Sequence, residues 1–406
     1  MSSVAIIGGG IAGLSACISL HRFGVEPRVY ERSSEWARRG HGFILLGNGL
    51  DALDHLGLRQ AVCTRGHAVD CFVMRSSQGR VLTKLPLADA VGIQRRYFVE
   101  ALRGAVPDSA IVMGMRFNGF DWSPKGRVAC ARFERHEGVG AGDASESSVL
   151  VEADLFIGAD GVRSRTRAEL FPDHTVSKVR VKELVCSVHA PDLAAQMGNM
   201  FLKTQDEHTG LALGIVPCGG GDLVWYLQYD SERLDMDEPT SGADTGARHP
   251  SNECKQAFAR ALVSGWPAPI PELLERTNFE EAHVWSTTDM ELLPSFHRKN
   301  VVLIGDAAHV FLTFTSQGVN SALQDVVTLA RCLATRRACR VFAVAAAGED
   351  DGGRSPSPIA DDAVLEQFST ERRSEVGGFL NAGRALAERF LYPSRFAGDV
   401  AVPLVK

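Results

Sequence analysis

Short apolar runs and amphipathic stretches alternate at both ends of this chain, and a block of two-residue alternation lies between them. Val4 to Ile7, Leu155 to Ile157 and Val301 to Ile304 are continuous apolar runs, the pattern of strands buried on both faces of a parallel sheet. Pro27 to Tyr30 reads as a further strand. Ile11 to Phe23 has helical spacing that stops at Gly24, a residue suited to a helix end. Leu50, Leu53, Leu56 and Leu58 predict a second helix, and Ile93 to Val106 predicts a third, with Phe98, Ala101, Leu102 and Ala105 on its apolar side. Ser321 to Leu333 and Leu365 to Arg389 predict two more. Phe72 to Lys84 reads as a hairpin turning at Ser76 to Gly79, and Arg127 to Phe133 pairs with Val149 to Phe156 across the polar stretch HEGVGAGDASESS.

Between 178 and 285 the pattern changes. LVCSVHA, LALGIVP and LVWYLQY alternate as antiparallel strands do, and Trp266 to Arg276 follows as a proline-rich helical section. In Leu223 to Tyr229 the alternation puts Trp225, Leu227 and Tyr229 on one face and Val224, Tyr226 and Gln228 on the other, so one of these faces must cover a core. The expected division is one domain assembled from 1–70, 91–177 and 286–406, and a substrate-binding domain from 71–90 and 178–285. Gly348 to Asp362 has the composition of a mobile loop.

A length of 406 residues, 45% hydrophobic and 23% charged, allows two domains of an ordinary globular protein. A net charge of -6 with scattered Lys and Arg excludes the basic stripe that nucleic-acid binding needs. Nine cysteines with no CxxC pair read as reduced thiols of a cytoplasmic protein, and they offer no metal-ligand spacing. The apolar N-terminus lacks a positive leading region, which disfavours secretion, and no apolar run reaches membrane-spanning length.

Candidate chemistry gathers where apolar strands end. Gly8, Gly10, Ile11, Ala12 and Gly13 fit GxGxxG between a strand and a helix, with Glu31 at the end of the next strand. The glycines suit a tight turn, backbone approach to a pyrophosphate and close helix packing, and Glu31 can accept ribose hydroxyls. Arg32, Arg39 and Arg95 are cations placed to meet phosphates; Arg95 stands in the first turn of a predicted helix, where the dipole disfavours it unless an anion is near. Asp160 and Gly161 form a second strand-end pair, and Gly305 and Asp306 a third. Gln317, Gly318, Val319 and Asn320 precede a helix whose free N–H groups attract an anionic group.

Taken together, GGGIAG at 8–13 with Glu31, IGADGVRSRTR at 157–167 and VVLIGDAAH at 301–309 resemble, in order and separation, the motifs of the class A FAD-dependent aromatic monooxygenases, the p-hydroxybenzoate hydroxylase-like flavoproteins. QRRYFVEAL around Arg95 and LEQFSTERR at 365–373 are similar to that family's flavin-side and late helices. The resemblance implies an α/β fold, with a Rossmann-like FAD-binding domain, an antiparallel-sheet substrate domain and C-terminal helices. It implies FAD held by the glycines, Glu31, Arg95 and Asp306, with the N–H groups of Gly318, Val319 and Asn320 facing the flavin ring. It further implies reduction by NADPH or NADH, O2 addition at flavin C4a to give a hydroperoxide, and hydroxylation of a small aromatic or N-heterocyclic substrate by a monomer or homodimer. Tyr226 and Gln228 are the candidates for handling the substrate's proton, and His309 is expected to fix its loop. An FAD-dependent reductase or dehydrogenase, or a flavin-binding protein without turnover, are the alternatives. One departure stands out: the family's usual proline after the GDAAH histidine, and the small residues before QG, are here Thr313, Phe314, Thr315 and Ser316.

Overall fold

A computed structural model describes residues 3–36, 40–135, 148–234, 251–347 and 361–396, with 336–347 described by their backbone alone. Arg39, the hairpin loop at 136–147 and nearly all of the expected mobile loop lie outside these residues.

The continuous apolar runs become the middle of a six-stranded sheet, in the order His297–Arg298, Val301–Leu303, Leu155–Gly158, Val4–Ile7, Pro27–Tyr30 and Ile111–Val112. From Val301–Leu303 to Ile111–Val112 the pairing is parallel; only His297–Arg298 runs antiparallel. Strand Val4–Ile7 is buried throughout, as expected of a strand covered on both faces. Its chain leaves through helix Ile11–Arg22 to Pro27–Tyr30 on one side, while Leu155–Gly158 pairs on the other, so the connection reverses direction beside Val4–Ile7. In open α/β sheets such a switch point opens a crevice beyond the carboxyl ends of the strands.

The alternating block forms a seven-stranded sheet in the order His283–Asp289, Ser177–His189, Asp222–Asp230, Leu211–Pro217, Met200–Gln205, Cys71–Ser76 and Val81–Pro86. Its pairs are antiparallel except Met200–Gln205 with Cys71–Ser76. Trp225, Leu227 and Tyr229 pack with Leu193, Phe258 and Leu273 from covering helices in one apolar core. Val224 and Tyr226 turn the other way, toward Ile44, Leu46 and Phe201, so the two aromatic faces divide the sheet between a sealed core and the side that meets the first half of the molecule.

Several predicted helices start elsewhere, the last one at Asp362 and the proline-rich one at Ile270 among them. Ala90–Gln94 is a strand paired antiparallel with Gly42–Leu46, and the helix begins only at Arg95. The long late helix begins at Gln317, four residues before the pattern suggested. Glycine and polar residues hid that start, because their low helix propensity masks a turn that tertiary contacts support. Among the described residues no helix is long and apolar enough to cross a membrane.

Candidate functional site

Parallel pairing aligns the strand ends, and this brings the candidate residues together. Ile7 lies beside both Tyr30 and Gly158, and Gly158 beside Leu303. Just beyond, the Gly8 N–H donates to the Tyr30 carbonyl at 2.9 Å, Ala159 N–H to Ile7 at 2.8 Å and Ile304 N–H to Gly158 at 3.0 Å. Gly8, Glu31, Asp160 and Asp306 therefore stand along one rim.

The glycine turn is closed by sterics. Gly8 has φ +108°, and a Cβ on Gly13 would lie 1.9 Å from the Gly8 carbonyl oxygen, so neither position tolerates a side chain. Gly10 differs, since a Cβ there would meet nothing within 4 Å. The helix that starts at Ile11 has no side-chain cap, which leaves its first N–H groups facing that space. Ile11 is buried, and Ala12 lies against Gly305, whose added Cβ would come within 3.0 Å of it. Glu31 closes the other side: its carboxylate accepts from the N–H of Gly9 at 2.7 Å and of Ser33 at 2.9 Å. Arg32 beside it is exposed.

Asp160 holds its own loop. Its two oxygens accept from the Ser164 hydroxyl at 2.5 Å and the Thr166 N–H at 3.0 Å, bracing the start of helix Arg165–Leu170. Gly161, at φ +79°, makes the turn. Arg167, which the pattern gave no role, is buried and joins this loop to the third strand end. It donates to the carbonyls of Asp306 at 2.9 Å, Ala307 at 3.2 Å and Val162 at 2.6 Å.

Asp306 is set deep among protein atoms yet keeps an accessible side chain, the signature of a group at the floor of a recess. Burial raises its carboxyl above the ordinary aspartate value, against the pull of His309, Arg95 and Arg167. Arg95 is half-buried, folded against Gly40, and burial lowers its guanidinium, while Asp306 acts the other way. An acid and two arginines thus face one another where a polar, phosphate-bearing molecule could lie.

Behind this rim a sealed network fixes the loop. Asp325 accepts from Gly305 N–H at 2.7 Å, His309 Nε2 at 2.7 Å and Arg372 Nε at 2.7 Å, all fully or almost fully buried. Burial alone would raise the Asp325 carboxyl, but His309 and Arg372 hold it below its ordinary value. His309 is therefore a loop-fixing group, as its sequence position implied. At the other end of the loop, helix Gln317–Ala347 presents Gly318 and Val319 half-exposed in its first turn. Asn320 is buried and occupied within the protein: Oδ1 accepts from Leu46 N–H at 3.0 Å, and Nδ2 donates to Ile44 and Ser316 carbonyls at 3.2 and 2.7 Å.

Across the recess, the inner face of the seven-stranded sheet carries Glu183, Lys203, Tyr226 and Gln228. Gln228 Nε2 donates to Glu183 at 2.7 Å, Lys203 Nζ donates to Gln228 Oε1 at 2.8 Å, and Thr313 Oγ1 donates to Glu183 at 2.6 Å. Tyr226 lies over Gly214, where a Cβ would be 2.2 Å from its ring. Glu183 and Lys203 escaped the sequence reading: Glu183 follows Lys178, Arg180 and Lys182 on its strand and reads as one more surface charge, and Lys203 is a lone charge that nothing local marks.

A family model described as FAD binding domain matches residues 1–337. The 3-amino-4-hydroxybenzoate 2-monooxygenase of Streptomyces cremeus is 26% identical over 404 residues, covering 96% of this chain and 88% of that protein. The 6-hydroxynicotinate 3-monooxygenase of Pseudomonas fluorescens is 27% identical over 342 residues, covering 81% and 82%. Among solved structures, a variant of HpxO from Klebsiella pneumoniae complexed with FAD matches with a TM-score of 0.77 at 18% identity, over 98% of this chain and 92% of that one, a likeness of fold.

Proposed function

The chain belongs to the FAD binding domain family, among FAD-dependent aromatic monooxygenases, and from that premise we propose that it uses NADPH or NADH and O2 to hydroxylate a small aromatic or N-heterocyclic compound. The observation that carries the reading is the accessible Asp306 carboxylate at the floor of the recess, beside Arg95 and the open space in front of Gly10. These residues fit FAD: a Cβ on Gly10 would meet nothing within 4 Å, so the backbone at the helix start lies open to a pyrophosphate. Bound there, FAD supplies the redox and oxygen-activating chemistry.

The chain's own residues bind and orient. In this reading Gly8, Gly10 and Gly13 shape the turn, and the N–H groups at Ile11 and Ala12 receive the pyrophosphate. Glu31 retains acceptor capacity for a ribose hydroxyl beyond its two backbone bonds, since a carboxylate has about four lone-pair sites. Asp306 takes the ribityl hydroxyls, Arg95 the phosphates or the ring edge, and Asp160 and Gly161 keep their loop in register. Gly318 and Val319 offer N–H groups to the ring, with Asn320 bracing them. The inner sheet face, with Tyr226 and Gln228, receives the substrate. The seven-stranded sheet with its covering helices, 71–90 and 178–285, would be the substrate domain, and the remainder the FAD domain. Eight described cysteines are free thiols, which supports a cytoplasmic setting.

The test is to reconstitute the purified protein with FAD and follow oxygen uptake with NADPH or NADH. The aromatics 3-amino-4-hydroxybenzoate and 6-hydroxynicotinate serve as probes. Uptake stimulated by a probe, with a product one oxygen atom heavier, is expected. A protein that takes up no flavin, or whose oxygen uptake no aromatic stimulates, would sink the reading.

A further inference from the structure

The loop departure at Thr313 has a structural partner. Thr313 is exposed, yet its hydroxyl donates inward to Glu183 Oε1 at 2.6 Å, while Gln228 Nε2 approaches the same hydroxyl at 3.3 Å. Its oxygen therefore keeps one lone pair beyond the one that Gln228 approaches. Glu183 is buried between Val181 and Val185 on its own strand. The groups facing it are Lys203 from strand Met200–Gln205, Tyr226 and Gln228 from strand Asp222–Asp230, and Thr313 from the 3-10 turn Thr313–Thr315. Lys203 in turn is ringed by Tyr226, Phe314 and Phe390, with Nζ 6.0, 5.5 and 5.9 Å from their centroids, which holds its charge in a dry setting beside Gln228. Val185 and Tyr226, paired on neighbouring strands beside Glu183 and Gln228, are both partly exposed, and a planar ring can lie against them.

Resting on the monooxygenase reading, we infer that Thr313 and Glu183 form a proton relay for an aromatic substrate bearing an ionisable hydroxyl or ring N–H, with Thr313 touching the substrate and Glu183 acting through it. The substrate's O–H bond breaks as its proton passes to Thr313 Oγ1. The Thr313 O–H bond breaks in turn as its own proton passes to Glu183. The products are an electron-rich phenolate and a neutral Glu183, with no net change in charge or electrons. Lys203 and Gln228 position the carboxylate. Burial raises the Glu183 carboxyl above the ordinary glutamate value, against the hydrogen bonds of Thr313 and Gln228 and the charge of Lys203, and this moves it toward the range useful to a base near neutral pH. The same burial lowers Lys203 to about 8.

The test uses FAD-loaded protein without NADPH or NADH, so that no turnover occurs, and 4-nitrophenol as the probe, read as a difference spectrum against the FAD-loaded protein. Internal transfer to Glu183 predicts phenolate absorbance that persists below the pH at which the free probe is neutral. Thr313→Val and Glu183→Gln should each lower that phenolate fraction by roughly tenfold, as a probe pKa higher by about one would do. Thr313→Ser should keep it. Retained flavin absorbance and cooperative unfolding certify each variant, and if Glu183→Gln does not fold, the Val and Ser pair decides. A bound probe that titrates like the free phenol, or a phenolate band unchanged in Thr313→Val, overturns the relay. Failure of the monooxygenase reading shows separately: wild-type protein would hold the phenolate yet take up no oxygen with NADPH, NADH and phenols.

Discussion

Two buried carboxylates flank one loop, and their surroundings are opposite. Asp325 lies behind the loop, fully buried, with Arg372, His309 and the Gly305 N–H around it, and Arg372 also donates to the Ser321 hydroxyl at 2.8 Å. Glu183 lies in front, served by a hydroxyl and an amide, with its cation one residue removed across Gln228. The first acid is held below its ordinary value by its neighbours, and the second is raised by burial. A charge with a direct, buried partner makes a permanent brace, whereas a charge whose direct hydrogen-bond partners are neutral, with its cation one side chain away, stays ready to take a proton. The loop from Gly305 to Gln317 is thus anchored on one side and chemically adjustable on the other.

The largest way to break this contrast is Arg372→Ala, which strands the Asp325 charge. A loss of about 3–5 kcal/mol is expected in denaturant unfolding; a loss below about 1 kcal/mol would mean that Asp325 is not the brace described. Asp306→Ala comes next, with FAD binding weakened by about 1.5–3 kcal/mol, roughly ten- to hundredfold, because a charged acceptor is lost. Fluorescence titration with FAD measures it, and unchanged affinity would remove Asp306 from the site.

The two acids should also differ in the sign of their pH dependence. Asp325 is depressed in the folded state, so its stabilisation is present above the unfolded value of about 4 and is lost as pH falls through the folded value. Glu183 is raised, so its contribution is full below the unfolded value and is lost as pH rises through the folded one. Denaturant series should therefore show Glu183→Gln gaining on the wild type between acid and mildly alkaline pH, by about 1.4 kcal/mol for each pH unit that separates the unfolded from the folded titration. Asp325→Asn should instead fall behind over the acid limb as pH rises. Slopes of the same sign would erase the distinction.

The smallest effect on stability is expected from Gly10→Ala. With nothing within 4 Å of the new methyl, unfolding should change by no more than about 0.5 kcal/mol while FAD retention falls. If FAD is held as before, the space in front of Gly10 is not where the pyrophosphate lies.

Much was legible along the chain because local patterns caused it. Val4–Ile7 and Val301–Leu303 read as buried strands because both faces are covered, and the glycines at 8 and 13 marked a turn that only glycine can make. The alternation in Leu223 to Tyr229 announced two faces, though not which would be sealed. Other features were hidden where a local signal was outvoted. Ile93 and Gln94 looked like the start of a helix until the pairing of Ala90–Gln94 with Gly42–Leu46 made them the end of a strand, and Gln317 to Asn320 looked like a loop until Asn320 tied the helix start to Leu46 and Ile44.

The sequence alone determined the strand ends, the glycine turn and the order of the candidate cofactor residues, since turns, strand burial and helix periodicity depend on neighbours a few positions away. Tertiary structure alone decided which charges meet. Asp325 and Arg372 are 47 residues apart, Arg167 and Asp306 139, and Glu183 and Thr313 130. No local rule couples such positions; helix against helix brings the first pair within hydrogen-bond reach, a helix against a strand-end loop the second, and the seven-stranded sheet against the turn Thr313–Thr315 the third, and burial there then sets what each charge can do.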